Sequence, residues 1–182
     1  VVALAKNNGQ TTFSIFLNNG SGNFVPTLSA NFTYTPTYFA FNDIDADGDR
    51  DLVAGDSQQK KVSVAWNNGN NTFSSTSTYN LATNFDYVTF GDVDEDGDKD
   101  LIASTTNHQS FSVLLNQGNN TFGSLYSFNT NRSLSYFAFK DLDRNNTLDL
   151  IGTVDAGKQQ LYIAFGSANK TFQTGTTYNL ST

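Results

Sequence analysis

A nine-residue acidic loop recurs three times along the chain at a fixed interval. It reads Asp43-Ile-Asp45-Ala-Asp47-Gly48-Asp49-Arg-Asp51, then Asp92-Val-Asp94-Glu-Asp96-Gly97-Asp98-Lys-Asp100, then Asp141-Leu-Asp143-Arg-Asn145-Asn146-Thr147-Leu-Asp149. The spacing is 92 − 43 = 49 and 141 − 92 = 49. Carboxylates at the first, third, fifth and ninth positions, around a glycine that lets the backbone turn sharply, can wrap oxygen atoms round one hard cation, for which Ca²⁺ is the usual partner. The loops therefore imply both a repeat architecture and a metal.

The charge of the molecule is concentrated in these loops. Of 17 acidic residues, 14 lie in them, leaving Asp56, Asp86 and Asp155 outside. Three divalent ions would offset six of the seven net negative charges. Such acidity argues for bound cations and against nucleic acid, and the ten Lys and Arg residues form no basic patch. The chain has no long apolar run of membrane-spanning length and no leader pattern, and the missing initiator Met suggests a processed or excised segment. Cysteine is absent, so cations rather than disulfides are the available cross-links.

The shift by 49 aligns far more than the acidic loops. Leu17-Asn-Asn-Gly-Ser-Gly-Asn-Phe24 matches Trp66-Asn-Asn-Gly-Asn-Asn-Thr-Phe73 and Leu115-Asn-Gln-Gly-Asn-Asn-Thr-Phe122. A fourth copy, Phe165-Gly-Ser-Ala-Asn-Lys-Thr-Phe172, follows one inserted residue in the polar turn Asp155 to Gln160. Within each repeat the pattern is that of strands. Tyr38-Phe-Ala-Phe41, Tyr87-Val-Thr-Phe90 and Tyr136-Phe-Ala-Phe139 lead into the loops, and Asp-Leu-Val/Ile-Ala/Gly leaves them. Alternating segments such as Val62-Ser-Val-Ala-Trp66 and Phe111-Ser-Val-Leu-Leu115 end in Asn/Gly turns that lead to a Thr-rich strand. Four strands per repeat at this period predict an all-β fold, a β-propeller of four-stranded antiparallel blades forming one domain over 1–182, with repeats at about 2–50, 51–99, 100–148 and 149–182. A stacked β-solenoid is the alternative, though its rungs are usually shorter.

These motifs resemble the FG-GAP or VCBS-type repeat of integrin alpha chains and of many secreted proteins, most closely over Phe41–Gly55 and Phe90–Ala103. The resemblance covers essentially the whole chain. It implies a propeller with Ca²⁺ held between the first and second strands of each blade, usually in an extracellular or cell-surface protein. At 182 residues the chain holds about 3.7 repeats, fewer than is usual in that family, and Val2 aligns with Asp51. The expected explanations are a fragment of a longer propeller, self-association through incomplete terminal blades, or closure of four blades alone.

By analogy with calcium loops, Asp43, Asp45, Asp47 and Asp51 are expected to coordinate through side chains and Asp49 through its carbonyl, with Asp92, Asp94, Asp96, Asp98 and Asp100 repeating the set. An EF-hand opens with the same string but needs a bidentate Glu at position 12, where this chain has Ala54, Ala103 and Gly152, and it needs flanking helices. In the third loop Asp141, Asp143 and Asp149 remain, while Asn145, Asn146 and Thr147 replace Asp, Gly and Asp; a weaker but occupied site is expected there, with Asn145 coordinating through its amide oxygen, Thr147 kept in the ligand set and Asn146 tolerating the positive φ of the glycine it replaces. Asn70, Asn119 and Asn169 lie in equivalent turns and, with Asn31 and Asn131, are the candidate glycosylation sites of a secreted chain, whereas Asn145, itself in a sequon, should stay unmodified. His108 is read as a surface residue with no Cys or Ser arrangement of a triad or zinc site, and Trp66 as core. Without a catalytic constellation, the expectation is a non-catalytic calcium-binding module for adhesion, recognition or scaffolding. A lectin binding a glycan, or a subunit of an extracellular filament, are the alternatives.

Overall fold

A computed structural model describes residues 2–7, 10–18, 20–70, 72–73, 76–154, 159–167 and 171–180. The inserted residue placed at 155–160 falls mainly outside these, as does Asn169. Every regular element among the described residues is a strand, and no helix is long and apolar enough to cross a membrane. The first sheet joins β1 (Val2–Asn7), β2 (Gln10–Asn18) and β3 (Phe24–Phe32). The second is a four-stranded meander of β4 (Tyr38–Asn42), β5 (Asp51–Asp56), β6 (Lys61–Ala65) and β7 (Ser77–Asn80). The third repeats it with β8 (Tyr87–Gly91), β9 (Asp100–Ser104), β10 (Ser110–Asn116) and β11 (Phe122–Asn129). The fourth joins β12 (Leu134–Lys140), β13 (Asp149–Val154), β14 (Gln160–Ala164) and β17 (Thr176–Asn179), with β15 (Gly166–Ser167) and β16 (Thr171–Phe172) as a small separate hairpin. Among the described residues all pairings are antiparallel, and no sheet closes on itself as a barrel. The sheets run from the leading strand through the acidic loop, so the loop lies inside a sheet rather than at a boundary between repeats.

The chain divides into two compact units, Val1–Asn80 with the first two sheets and Leu81–Thr182 with the third, the fourth and the small hairpin. In the first unit Phe13, Ala30 and Phe32 of the first sheet pack with Leu52, Ala54 and Ala65 of the second. In the second unit Ile102, Phe111, Val113 and Leu115 of the third sheet pack with Leu134, Leu150, Tyr162 and Ala164 of the fourth. Equivalent residues make equivalent contacts. Phe13 lies 4.6 Å from Phe39 and 6.3 Å from Phe41, and 98 residues on, Phe111 lies 5.1 Å from Phe137 and 5.8 Å from Phe139. The abundance of phenylalanine thus reflects one tilted or edge-to-face cluster used twice, a geometry that the ring quadrupole favours.

Burial explains the sequence of the second strand in the second and third sheets. Every residue of β5 and of β9 is buried. With both faces covered, Leu52-Val-Ala and Leu101-Ile-Ala are continuous apolar runs rather than alternating ones. Each of these strands also begins with a fully buried aspartate, Asp51 or Asp100, and β13 begins with Asp149 in the same state.

Candidate cation-binding loops

Each acidic loop connects the first and second strands of its sheet: β4 to β5, β8 to β9 and β12 to β13. Its shape is the same in all three. The fourth position takes a left-handed conformation at Ala46, Glu95 and Arg144 (φ 59, 62 and 63°), as does the sixth at Gly48, Gly97 and Asn146 (φ 96, 95 and 65°). Asparagine is the non-glycine residue that enters this region most readily, so the third loop keeps its turn without glycine.

The carboxylates hold this shape. The first-position side chain accepts the amide of the sixth residue: Asp43 Oδ2 from Gly48 (3.3 Å), Asp92 Oδ2 from Gly97 (3.1 Å) and Asp141 Oδ2 from Asn146 (3.1 Å). The fifth-position side chain accepts from the seventh amide: Asp47 from Asp49 (2.8 Å), Asp96 from Asp98 (2.9 Å) and Asn145 from Thr147 (2.7 Å). The ninth position accepts twice from backbone. Asp51 takes the amides of Ile44 (2.9 Å) and Asn67 (2.8 Å), Asp100 those of Val93 (2.7 Å) and Asn116 (2.8 Å), and Asp149 those of Leu142 (2.7 Å) and Gly166 (2.9 Å). One carboxylate thus ties the start of its own loop to the turn that follows the third strand.

Carboxylate oxygens converge in each loop within 4.8 Å of one another: from Asp43, Asp45 and Asp51, from Asp92, Asp94 and Asp96, and from Asp141, Asp143 and Asp149. Burial makes this costly for bare anions. It pushes Asp51 up to about 6 and Asp100 up to about 7, against two backbone hydrogen bonds to each that pull the other way and with neighbouring loop carboxylates adding to the rise. Asp45 is raised too, first by burial and then by the charge of Asp47. Its Oδ1 is buried without a hydrogen-bond partner, an uncompensated acceptor of the kind that a hard cation satisfies. The donor set is all oxygen and predominantly anionic, which fits Ca²⁺.

The seventh-position side chains sit elsewhere. A Cβ built on Gly69 would lie 2.5 Å from Asp49 Oδ2, and one on Gly118 2.6 Å from Asp98 Oδ2, so these carboxylates rest against the turn after the third strand. In the third loop Thr147 occupies this position. It is buried, and both its amide (2.7 Å) and its hydroxyl (2.6 Å) donate to Asn145 Oδ1, the oxygen expected to coordinate.

The turn after the third strand escaped the reading of acidic residues alone. Besides its amide bond to Asp51, Asn67 donates from Nδ2 to the Arg50 carbonyl (3.2 Å) and accepts the Gly69 amide (3.1 Å). Asn116 repeats both bonds with Lys99 O (3.3 Å) and the Gly118 amide (3.2 Å). The signal was present as Asn-x-Gly recurring 16 residues after each complete loop.

The remaining singled-out residues take clear places. Asn31, Asn70, Asn119 and Asn131 are exposed. Asn70 Oδ1 accepts the Thr72 hydroxyl (2.6 Å) and Asn119 Oδ1 that of Thr121, so both sequons serve in their own turns. Trp66 is buried. His108 differs from its reading: it is half-buried, packed edge-on against Phe137 (4.7 Å) and Tyr87 (6.1 Å), and its Nδ1 hydrogen-bonds Ser104 Oγ (2.9 Å). Ser104 is itself buried, so the pair serves packing, and burial first of all lowers the histidine. In the second unit a cavity of about 100 Å³ opens beside Phe128, Asn131, Tyr162, Phe172, Gln173 and Gly175.

Residues 43–103 and 92–152 each match the profile of a family described as FG-GAP-like repeat. No match was found among curated proteins. Among solved structures, the chain resembles that of an Agrocybe aegerita lectin, described as recognising non-reducing terminal N-acetylglucosamine, with a TM-score of 0.61 and 23% identity. The match covers 97% of this chain and 51% of that one, so the chain spans about half the length of the lectin, and the likeness is one of fold.

Proposed function

Since this chain belongs to the FG-GAP-like repeat family, we propose that it is a non-catalytic, calcium-stabilised β-propeller module that works outside the cell in adhesion or recognition. The observation that carries the reading is the convergence of carboxylate oxygens in loops of one shape, above all at Asp45, whose Oδ1 is buried without a hydrogen-bond partner. Asp43, Asp45 and Asp51 would hold one ion, Asp92, Asp94 and Asp96 a second, and Asp141, Asp143 and Asp149 a third. Bound Ca²⁺ would supply charge neutralisation and a cross-link between the two strands flanking each loop. Asp51 and Asp100 register the loops against their sheets through two backbone hydrogen bonds each.

The third site binds most weakly in this reading, because Asn145 Oδ1 is engaged by Thr147 and one charge is missing. Calorimetric titration of chelator-treated protein, with melting temperatures in EDTA and in excess calcium, tests the proposal. Heat release from two tighter sites and a higher melting temperature in calcium are expected. Identical melting in both buffers would overturn it.

The cavity beside Phe128, Tyr162 and Phe172 favours a second reading, in which the module binds a carbohydrate. Asn131 and Gln173 line the cavity with amides that suit sugar hydroxyls, and a structurally similar protein is a lectin. A glycan array that includes terminal N-acetylglucosamine separates the readings, and silence across it favours recognition of protein.

A further inference from the structure

We propose that Asn67 and Asn116 are positioning residues of the first two cation sites, latching the turn after the third strand onto the acidic loop. The proposal rests on calcium binding by those loops. Each asparagine makes three bonds across the gap or within its turn: its amide to the ninth carboxylate, its Nδ2 to the carbonyl of the eighth residue, and its Oδ1 to the glycine amide two residues on. The first two bonds span 16 and 17 residues of chain, so they fix the loop's last two residues from outside the loop.

The glycine completes the device. Gly69 and Gly118 adopt φ of 69°, and the absent side chain leaves room for Asp49 and Asp98 to lean on the turn. The seventh carboxylate is thereby drawn toward the turn. The acidic loop and the Asn-x-Gly turn thus act as one site made of two segments.

The third loop serves as the internal comparison. Gly166 stands where Asn67 and Asn116 stand in the other repeats, and it keeps only the amide bond to Asp149. A side chain there would run into the Leu148 carbonyl, the oxygen that an asparagine would otherwise bind. The weak third site therefore has a cause outside its own nine residues. Groups that orient metal ligands typically change affinity by about 10–100-fold when removed.

The test compares wild type with Asn67→Ala and Asn116→Ala by calcium titration and by melting in EDTA and in calcium. Each variant should weaken one tight site roughly 10-fold. It should also lose more of the calcium-dependent rise in melting temperature than of the melting temperature in EDTA. Equal losses in both buffers with unchanged affinity would mean an ordinary turn residue and overturn the proposal. A measurement on the wild type guards against variants that fail to fold: calcium should slow hydrogen exchange at 67–69 and 116–118 together with the loops, and leave Gly166 unaffected. Protection confined to the acidic loops would also overturn the latch. If the wild type releases no heat with calcium, the functional reading falls and takes the latch's role with it, a result distinct from binding that ignores the two asparagines.

Discussion

At the residue scale, neighbouring aspartates with the same apparent role do different work. Asp45 points a buried, unsatisfied oxygen at the cluster, whereas Asp49 lies against Gly69. Asp45→Asn should therefore weaken the first site by roughly 10-fold or more, and Asp49→Asn should change it by less than about 3-fold, as read by calorimetry. The ninth-position aspartates set the dependence on pH. Their folded values, about 6 for Asp51 and about 7 for Asp100, lie above the ordinary 3.8. In chelator, the stability that the protonated carboxyls contribute is fully present below about pH 4 and is lost as pH rises through 6 and 7. Bound calcium would reverse the trend at Asp51, which shares the first cation site, and protons would compete with it there. Melting in EDTA should therefore fall between pH 4 and 8, and calcium affinity should fall as pH drops from 8 to 5; parallel melting curves at all pH values would contradict this.

At the element scale, the leading strand and the aromatic cluster it faces determine how sheets pair within each unit. Phe111 is fully buried and touches Phe128, Phe137 and Phe139. Phe111→Ala should cost about 3–5 kcal/mol in denaturant unfolding, since neighbouring rings on two strands cannot both collapse into the space. Tyr34 reaches from the segment between the first two sheets, where its hydroxyl donates to the Ala54 carbonyl and shares a hydrogen bond with the Ser63 hydroxyl, both at 2.9 Å. Burial pushes its hydroxyl up to about 12. Tyr34→Phe should cost about 1–3 kcal/mol by leaving those acceptors unmet, and Ser63→Ala made together with it should recover part of the loss. These strands and their pairing followed from period-two patterning, whereas the Tyr34 contacts joined residues 20 and 29 positions apart and had no local signature.

At the scale of the whole molecule, charge is the global variable. With three divalent ions the net charge moves from −7 toward about −1. Free-solution electrophoresis should show a large drop in anodic mobility on adding calcium, with little change in hydrodynamic radius. Unchanged mobility at saturating calcium would mean that the loops stay empty. Two compact units, each with its own aromatic core, divide the candidate cation sites, one in the first unit and two in the second, so calcium should raise the stability of both if the proposed function holds.

The sequence by itself determined the strand order, the turns and the acidic loops, because alternation, left-handed positions and closely spaced carboxylates are local properties of nine residues or fewer. It identified Asn146 as a tolerable replacement for glycine for the same reason. Which carboxylates converge, why Asp49 and Asp98 turn aside, and how Asn67 and Asn116 brace a loop 16 residues upstream were decided only by folding. Those features depend on the third strand returning antiparallel beside the second and carrying its turn to the mouth of the loop. A hydrogen bond across such a return has no signature until the sheet that creates the distance exists.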